Sequence, residues 1–364
     1  FDVDAAAEML AAVLEWRRGY PDSAGARALG LRPVVDILGG VTADELQAYY
    51  ASRYLGTTDR GGRPVYIERT GIVDPDSLAI VCGIPALVHL HVAQLEGEQQ
   101  MRLLRATRAA GRPIVDMCTI LDLEGMSMSL VNGNTRDYFG QISRIDSDNY
   151  PETAGKLFII NAPSVFSFAW RIAKGMVDAR TVGKIRIMSA SDPWREALLE
   201  AIPPESLPVE YGGTLELEGG CWPASKTRQV EFGGKIKELC EELAPVAEGE
   251  RVRYKFHSKG GGMTFDVAFV PADGGAARPL VKAVKCDKMV VCEHWVAAPA
   301  AGALRATWKP SRASGRVLFV RVEREAEVEA ARAASAETAA IIAAELAAGV
   351  DGAARTPAAE AAKA

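Results

Sequence analysis

Residues 149–188, NYPETAGKLFIINAPSVFSFAWRIAKGMVDARTVGKIRIM, constrain the fold more than any other stretch. A polar turn, Asn149-Tyr150-Pro151-Glu152, leads into Leu157, Phe158, Ile159 and Ile160. An unbroken apolar run of this length reads as a strand buried on both faces. Asn161-Ala162-Pro163 stops it. Val165, Phe166, Phe168, Ala169, Ile172, Ala173, Met176 and Val177 then share one broad helical face, with Arg171 and Lys174 on the other. A second short strand follows at 184–188. Strand, helix and strand make a right-handed crossover between parallel strands. The helix carries more large apolar surface than so small a unit needs, so it is expected to wall a pocket for an apolar guest.

Elsewhere in the first half, strands expected at 65–68 and 114–122 alternate with helical patterns at 33–54, 84–110, 126–147 and 193–202. Thr42 with Glu45 three residues on is a capping box. The alternation argues an α/β domain, a mainly parallel sheet covered by helices. The first helix, 5–16, has no cap, and the chain starts at Phe1, so residues 1–32 read as the end of a helical bundle that begins upstream. After Gly219-Gly220 the period changes. Val252, Tyr254 and Phe256 alternate with Arg251, Arg253, Lys255 and His257, and Phe265, Val267 and Phe269 alternate with polar or small residues. Successive half-buried strands with glycine turns read as an all-β antiparallel sandwich. An alanine-rich helix at 327–348 and a disordered tail complete the chain. The domain limits expected are 1–32, 33–218, 225–325 and 326–364.

A chain of 364 residues has room for two cores. Its net charge of −5 hides an asymmetry: residues 225–325 carry 18 Lys+Arg against 12 Asp+Glu, +6, which leaves −11 for the rest. A basic module on an acidic body suits an anionic partner for the former. Nucleic acid is disfavoured by the acidic total and the lack of a basic-aromatic groove motif. Six scattered cysteines without a CxxC pair read as reduced cytosolic thiols.

The motifs that could carry catalysis fail on chemistry. Gly125-Met126-Ser127-Met128-Ser129 lacks the second glycine of a nucleophile elbow. Asp122 and Glu124 sit at the end of a strand, where turn and helix-start chemistry accounts for them better than an acid/base pair. Cys286, Cys292 and His294 match no standard zinc spacing. Gly233-Gly234-Lys235 and Gly260-Gly261-Gly262 lack the ending of a phosphate loop. The expectation is a protein that is not an enzyme, with no metal and no cofactor other than a bound lipid.

That lipid is implied by a resemblance. NYPETAGKLFIINAP, the Val182-Gly183-Lys184-Ile185 turn, LPVEYGG at 207–213, GGRPVYIERTG at 61–71 and CTILDLEGMS at 118–127 resemble, in order, the CRAL-TRIO family of phosphatidylinositol and lipophilic-vitamin transfer proteins. The resemblance implies one lipid in an apolar pocket, gated by the helix carrying Phe166, Phe168, Ile172 and Met176. It implies Glu152 and Lys184 as headgroup residues, with Thr153 where such proteins have an arginine. Tyr66 and Thr119 match polar residues that line a phosphocholine pocket, where Met117 replaces a serine. The second half resembles, more weakly, the GOLD sandwich of patellins and supernatant protein factor. On its basic strand, Arg251, Arg253, Lys255 and Lys259 are expected to contact an anionic membrane surface. A diacyl lipid has about 30 methylenes at about 0.8 kcal/mol each, so extraction into water costs on the order of 25 kcal/mol, which only a closed apolar cavity offsets. The expected function is a cytosolic, peripherally membrane-associated carrier in trafficking, favouring phosphatidylinositol or a phosphoinositide. Two alternatives stay open: a lipid-regulated trafficking adaptor with a protein partner on the GOLD domain, or a carrier of a sterol, tocopherol or squalene.

Overall fold

The computed structural model describes residues 3–130, 132–166, 170–171, 174–176, 179–233, 236–311 and 315–353. The chain divides into two compact units, Phe1–Ala224 with Ser335–Ala364, and Ser225–Ala334.

In the first unit five strands, β1 (Ser52–Thr58), β2 (Pro64–Glu68), β3 (Met117–Asp122), β4 (Ala154–Ile160) and β5 (Ile185–Ile187), form one sheet in that order. The pairs β2/β3, β3/β4 and β4/β5 are parallel, as the alternation of strands and helices implies. The stretch 33–54 departs from its expected helix. It is helical only at Val34–Ile37 and Ala43–Gln47, and its end enters β1, which pairs antiparallel with β2 through Tyr54 and Tyr66. Leu55 joins the core beneath the sheet while Tyr54 packs on the other face, an alternation a helix could not provide. Thr42 caps the second of these helices, its hydroxyl accepting from the Glu45 amide at 3.2 Å.

The two faces of this sheet differ. One is closed. Val65, Ile67, Cys118, Ile120, Phe158 and Ile160 pack against Trp194, Leu198 and Ile202 of the Trp194–Ala201 region and against Leu207, Tyr211 and Cys221. Each such side chain contributes roughly 1.5–3 kcal/mol by leaving water. Asp122 pins the carboxyl end of this layer. Its buried carboxylate accepts from Asn161 Nδ2 at 2.8 Å, from the Glu124 amide at 3.0 Å and from the Tyr211 hydroxyl at 2.9 Å, the turn role expected of it. The other face meets Leu103 and Ala106 of the Gln100–Ala110 helix, with Ile114 and Met117 alongside. That helix continues Ile84–Gln94 through a π turn at Leu95–Gln99.

No single helix among the described residues is long and apolar enough to cross a membrane. One pair, Pro75–Val81 with Ile84–Ala110, passes on length and composition but bends by 96°. Its Leu87, Val88, Leu90 and Val92 are buried inside the protein.

The second unit is the expected sandwich. Strands β6 (Arg228–Phe232), β7 (Leu239–Val246), β8 (Arg251–Lys259), β9 (Met263–Pro271), β10 (Arg278–Cys286), β11 (Cys292–Ala297), β12 (Gly302–Pro310) and β13 (Arg316–Arg324) make two antiparallel sheets, β10-β9-β12-β7 and β11-β8-β13-β6. Tyr254, Phe256, Phe265 and Trp308 form the aromatic centre, with ring centroids from 4.8 to 6.2 Å apart. The last helix, Glu325–Ala353, is longer at both ends than 327–348. Its Ile342 and Leu346 pack on Met101, Leu31 and Leu104 within the first unit. Residues 350–353, assigned to a disordered tail, belong to this helix, and residues 354–364 of that tail lie outside the described residues.

Candidate functional site

Glu152 and Lys184, far apart in sequence, meet. Glu152 ends the polar turn before β4 in the left-handed region, φ 59°, and Lys184 immediately precedes β5. Because β4 and β5 are parallel neighbours, their leading ends lie side by side, and Lys184 Nζ donates to Glu152 Oε2 at 2.8 Å. Arg180 Nη1 stands 3.5 Å from the other carboxylate oxygen. The Lys184 hydrogen bond and charge, helped by Arg180, hold the Glu152 carboxyl below its ordinary range. This surface group therefore presents two cations around one carboxylate. Thr153 serves the local turn instead. Its hydroxyl donates to the Tyr150 carbonyl at 2.9 Å, and its own carbonyl accepts from the Met117 amide at 2.9 Å.

Tyr66 and Thr119 are register partners on β2 and β3, and Thr119 in turn faces Leu157 on β4. Met117 is buried beside Tyr66 and Tyr54. Around Tyr66 lies a cluster that sequence reading missed. Glu68 Oε2 accepts from the Tyr50 hydroxyl at 2.6 Å and from the Tyr66 hydroxyl at 3.3 Å, while Oε1 accepts from Thr70 at 2.8 Å. Burial is the main cause that raises the Glu68 carboxyl, against the pull of those three hydroxyls. Burial likewise raises the phenols of Tyr50, Tyr54, Tyr66 and Tyr138. Yet all five side chains, with Thr119, Leu121 and Leu157, retain intermediate exposure. A signal for Glu68 existed, since a strand places residues 66 and 68 on one face. Tyr50 offered none, because it fell inside an expected helix.

The gate residues divide. Phe166 is half-buried and stacks on Trp170 with centroids 6.1 Å apart. Phe168 and Ile172 lie outside the described residues, as does the side chain of Met176.

The expected membrane-facing cations need correction. Arg253 is buried, and its charge is spent on Glu323, to which Arg321 also donates. Lys255 is buried too. Arg251 is exposed but pairs with Glu325 and lies 5.0 Å over the Trp295 ring; Lys259 sits 5.6 Å over Phe319. The alternation of β8 is real, but both of its faces are covered, which a two-residue period cannot reveal. Of the zinc candidates, Cys286 and Cys292 hydrogen-bond to each other while His294 stacks on Phe265 at 5.2 Å, and no group of three or more potential ligands is placed to hold a metal among the described residues.

The family model for the CRAL/TRIO domain matches residues 49–213. The chain is 35% identical over 228 residues to the phosphatidylinositol/phosphatidylcholine transfer protein SFH4 of Arabidopsis thaliana, covering 62% of this chain and 36% of that protein. It is 33% identical over 223 residues to the Sec14 cytosolic factor of Schizosaccharomyces pombe, covering 61% of this chain and 73% of that one. To the SEC14 cytosolic factor of Candida glabrata it is 34% identical over 220 residues, 60% of this chain and 68% of that one. Of three Arabidopsis transfer proteins it matches, the chain spans 36% to 40% of the length. The matched region contains the five-stranded sheet, Tyr66, Thr119, Glu152 and Lys184, and on this evidence the chain belongs to the CRAL/TRIO family.

Proposed function

We propose that this protein carries a single phospholipid, with phosphatidylinositol or a phosphoinositide favoured, and exchanges it at membranes without covalent chemistry. The observation that carries the reading is the unequal packing of the first sheet. One face is sealed by apolar side chains, while the other sets half-buried tyrosines, Glu68 and Thr119 beside Leu121 and Leu157. A surface that is part apolar and part hydroxyl suits an amphiphile better than it suits a protein core. The relatives are named as phosphatidylinositol/phosphatidylcholine transfer proteins, which supports the same class of cargo.

In this reading Glu152 organises Lys184 and Arg180, and an arriving inositol phosphate takes over the two cations while the carboxylate accepts from ring hydroxyls. The segment 165–177 opens at the bilayer, and the GOLD-like sandwich serves docking or a trafficking partner.

Mass spectrometry of lipid that co-purifies with the recombinant chain tests the proposal, and a stoichiometric phospholipid is expected. Lys184→Ala should lower phosphatidylinositol loading by about tenfold relative to phosphatidylcholine, the effect of losing one charge-assisted hydrogen bond that was already partly engaged. An unchanged ratio would remove the headgroup assignment, and an empty wild-type chain would remove the carrier.

A further inference from the structure

Strand directions gather four loops at one end of the sandwich. β6, β8, β10 and β12 run toward that end, and β7, β9, β11 and β13 start from it, as the pairs Phe232–Arg316, Lys259–Val317, Cys286–Met263 and Trp308–Leu239 show. The polypeptide enters and leaves the sandwich at the opposite end, before β6 and after β13. The loop end carries large apolar side chains that remain open to solvent among the described residues. Ile236 is 44% exposed, Met289 42% and Val290 50%, each on the connection that follows β6 or β10. Met289 takes φ 62° and its amide donates to the Ser258 carbonyl at 3.0 Å, so the backbone is anchored while the side chain points outward. Left-handed backbone is uncommon for a residue of this type.

Cations frame these tips. Lys285 and Lys288 are exposed on either side of Cys286-Asp287. Arg316 lies flat on the glycine turn after β8. A Cβ at Gly261 would come within 2.3 Å of its guanidinium carbon, and the buried Arg316 Nε has no hydrogen-bond partner among the described residues. An apolar tip framed by positive charge has the same layering as an anionic bilayer, oily within and negative at the surface. We propose that this loop end is the surface that meets anionic membranes: Met289, Val290 and Ile236 enter the headgroup layer, and Lys285, Lys288 and Arg316 meet lipid phosphates. The inference rests on the carrier reading, since a lipid carrier must visit a bilayer, and it moves the contact from the covered face of β8 to the loop end.

The test is sedimentation of the full chain with phosphatidylcholine vesicles, with or without phosphatidylserine, at low and high salt. The wild type is expected to bind the anionic vesicles in a salt-sensitive way. The pair Met289→Asp with Val290→Asp, and separately the pair Lys285→Glu with Lys288→Glu, should each weaken that binding by about tenfold or more. Their melting temperature and co-purifying lipid should stay unchanged. If the aspartates disturb folding, Val290→Trp gives a second measurement: the indole emission it adds should shift to the blue on anionic vesicles and be quenched by brominated lipid. Wild-type binding by either pair, or added indole emission that is indifferent to vesicles, overturns the proposal. Lipid content separates the two readings. An empty chain whose variants still lose binding removes the carrier and leaves the docking surface, whereas a loaded chain whose variants bind normally does the reverse.

Discussion

Glu323→Ala is expected to destabilise the sandwich by about 3–5 kcal/mol. The Glu323 side chain is 1% exposed, and those of Arg253 and Arg321 are 3% exposed. Each carboxylate oxygen takes one guanidinium, Oε2 from Arg253 and Oε1 from Arg321. Removing the carboxylate leaves two buried cations side by side with their shared counter-charge gone. For a unit of this size each kcal/mol moves the melting point by several degrees, so a fall of about 15 °C or more in its transition is the expected result. A shift of only a few degrees would mean that the triad is solvated in solution.

The same group sets a pH dependence. Burial pushes the Glu323 carboxyl up, but its bonds to Arg321 and Arg253 outweigh burial and hold it below the ordinary value of 4.5. A carboxyl depressed by folding contributes stability that is fully present above the unfolded value and is lost as pH falls through the folded one. Wild-type stability should therefore drop as pH falls below about 4.5, and Glu323→Ala should lose that component of the slope.

Gly97→Ala should cost about 3 kcal/mol, at the upper end for overpacking. The Ala26–Gly30 helix crosses the π turn so closely that a Cβ at Gly97 would lie 2.2 Å from the Gly30 carbonyl oxygen, and one at Gly30 would lie 2.7 Å from the Gly97 nitrogen. Both obstacles are backbone, which cannot swing aside as a side chain can. The effect should reach the headgroup region. The π turn holds Glu96, whose Oε1 accepts from the Tyr150 hydroxyl at 2.7 Å and pairs with Arg17 at 2.9 Å. Tyr150 in turn anchors Thr153, next to Glu152. Denaturant titration should show a lower midpoint with an unchanged slope, and phosphatidylinositol loading should fall along with it. A variant as stable as wild type would show that the two segments separate in solution.

The candidate site entered through resemblance rather than through any local period. Tyr66 and Thr119 were implied in that way, and the parallel pairing of β2 with β3 sets them side by side in register. The meeting of Glu152 with Lys184 was implied by resemblance, and the parallel pairing of β4 with β5 supplies its physical cause. Tyr50 and β1 were hidden because residues 50–58 take their conformation from a distant partner, β2, rather than from their own period.

On its own, the sequence determined most of the elements and which side chains share a face within them, because helical and extended backbones impose periods of 3.6 and 2 wherever they occur. The alternation of helices with the strands β2 to β5 and the change to a sandwich after Gly219-Gly220 follow from those periods. Tertiary structure decided what covers each face. It buried Arg253 and Lys255 where alternation promised solvent, left Tyr66 and Glu68 half-open where a core was equally consistent with the pattern, and drew four loop tips together at one end of the sandwich. Burial is set by long-range packing, and a local period carries no information about what lies opposite it.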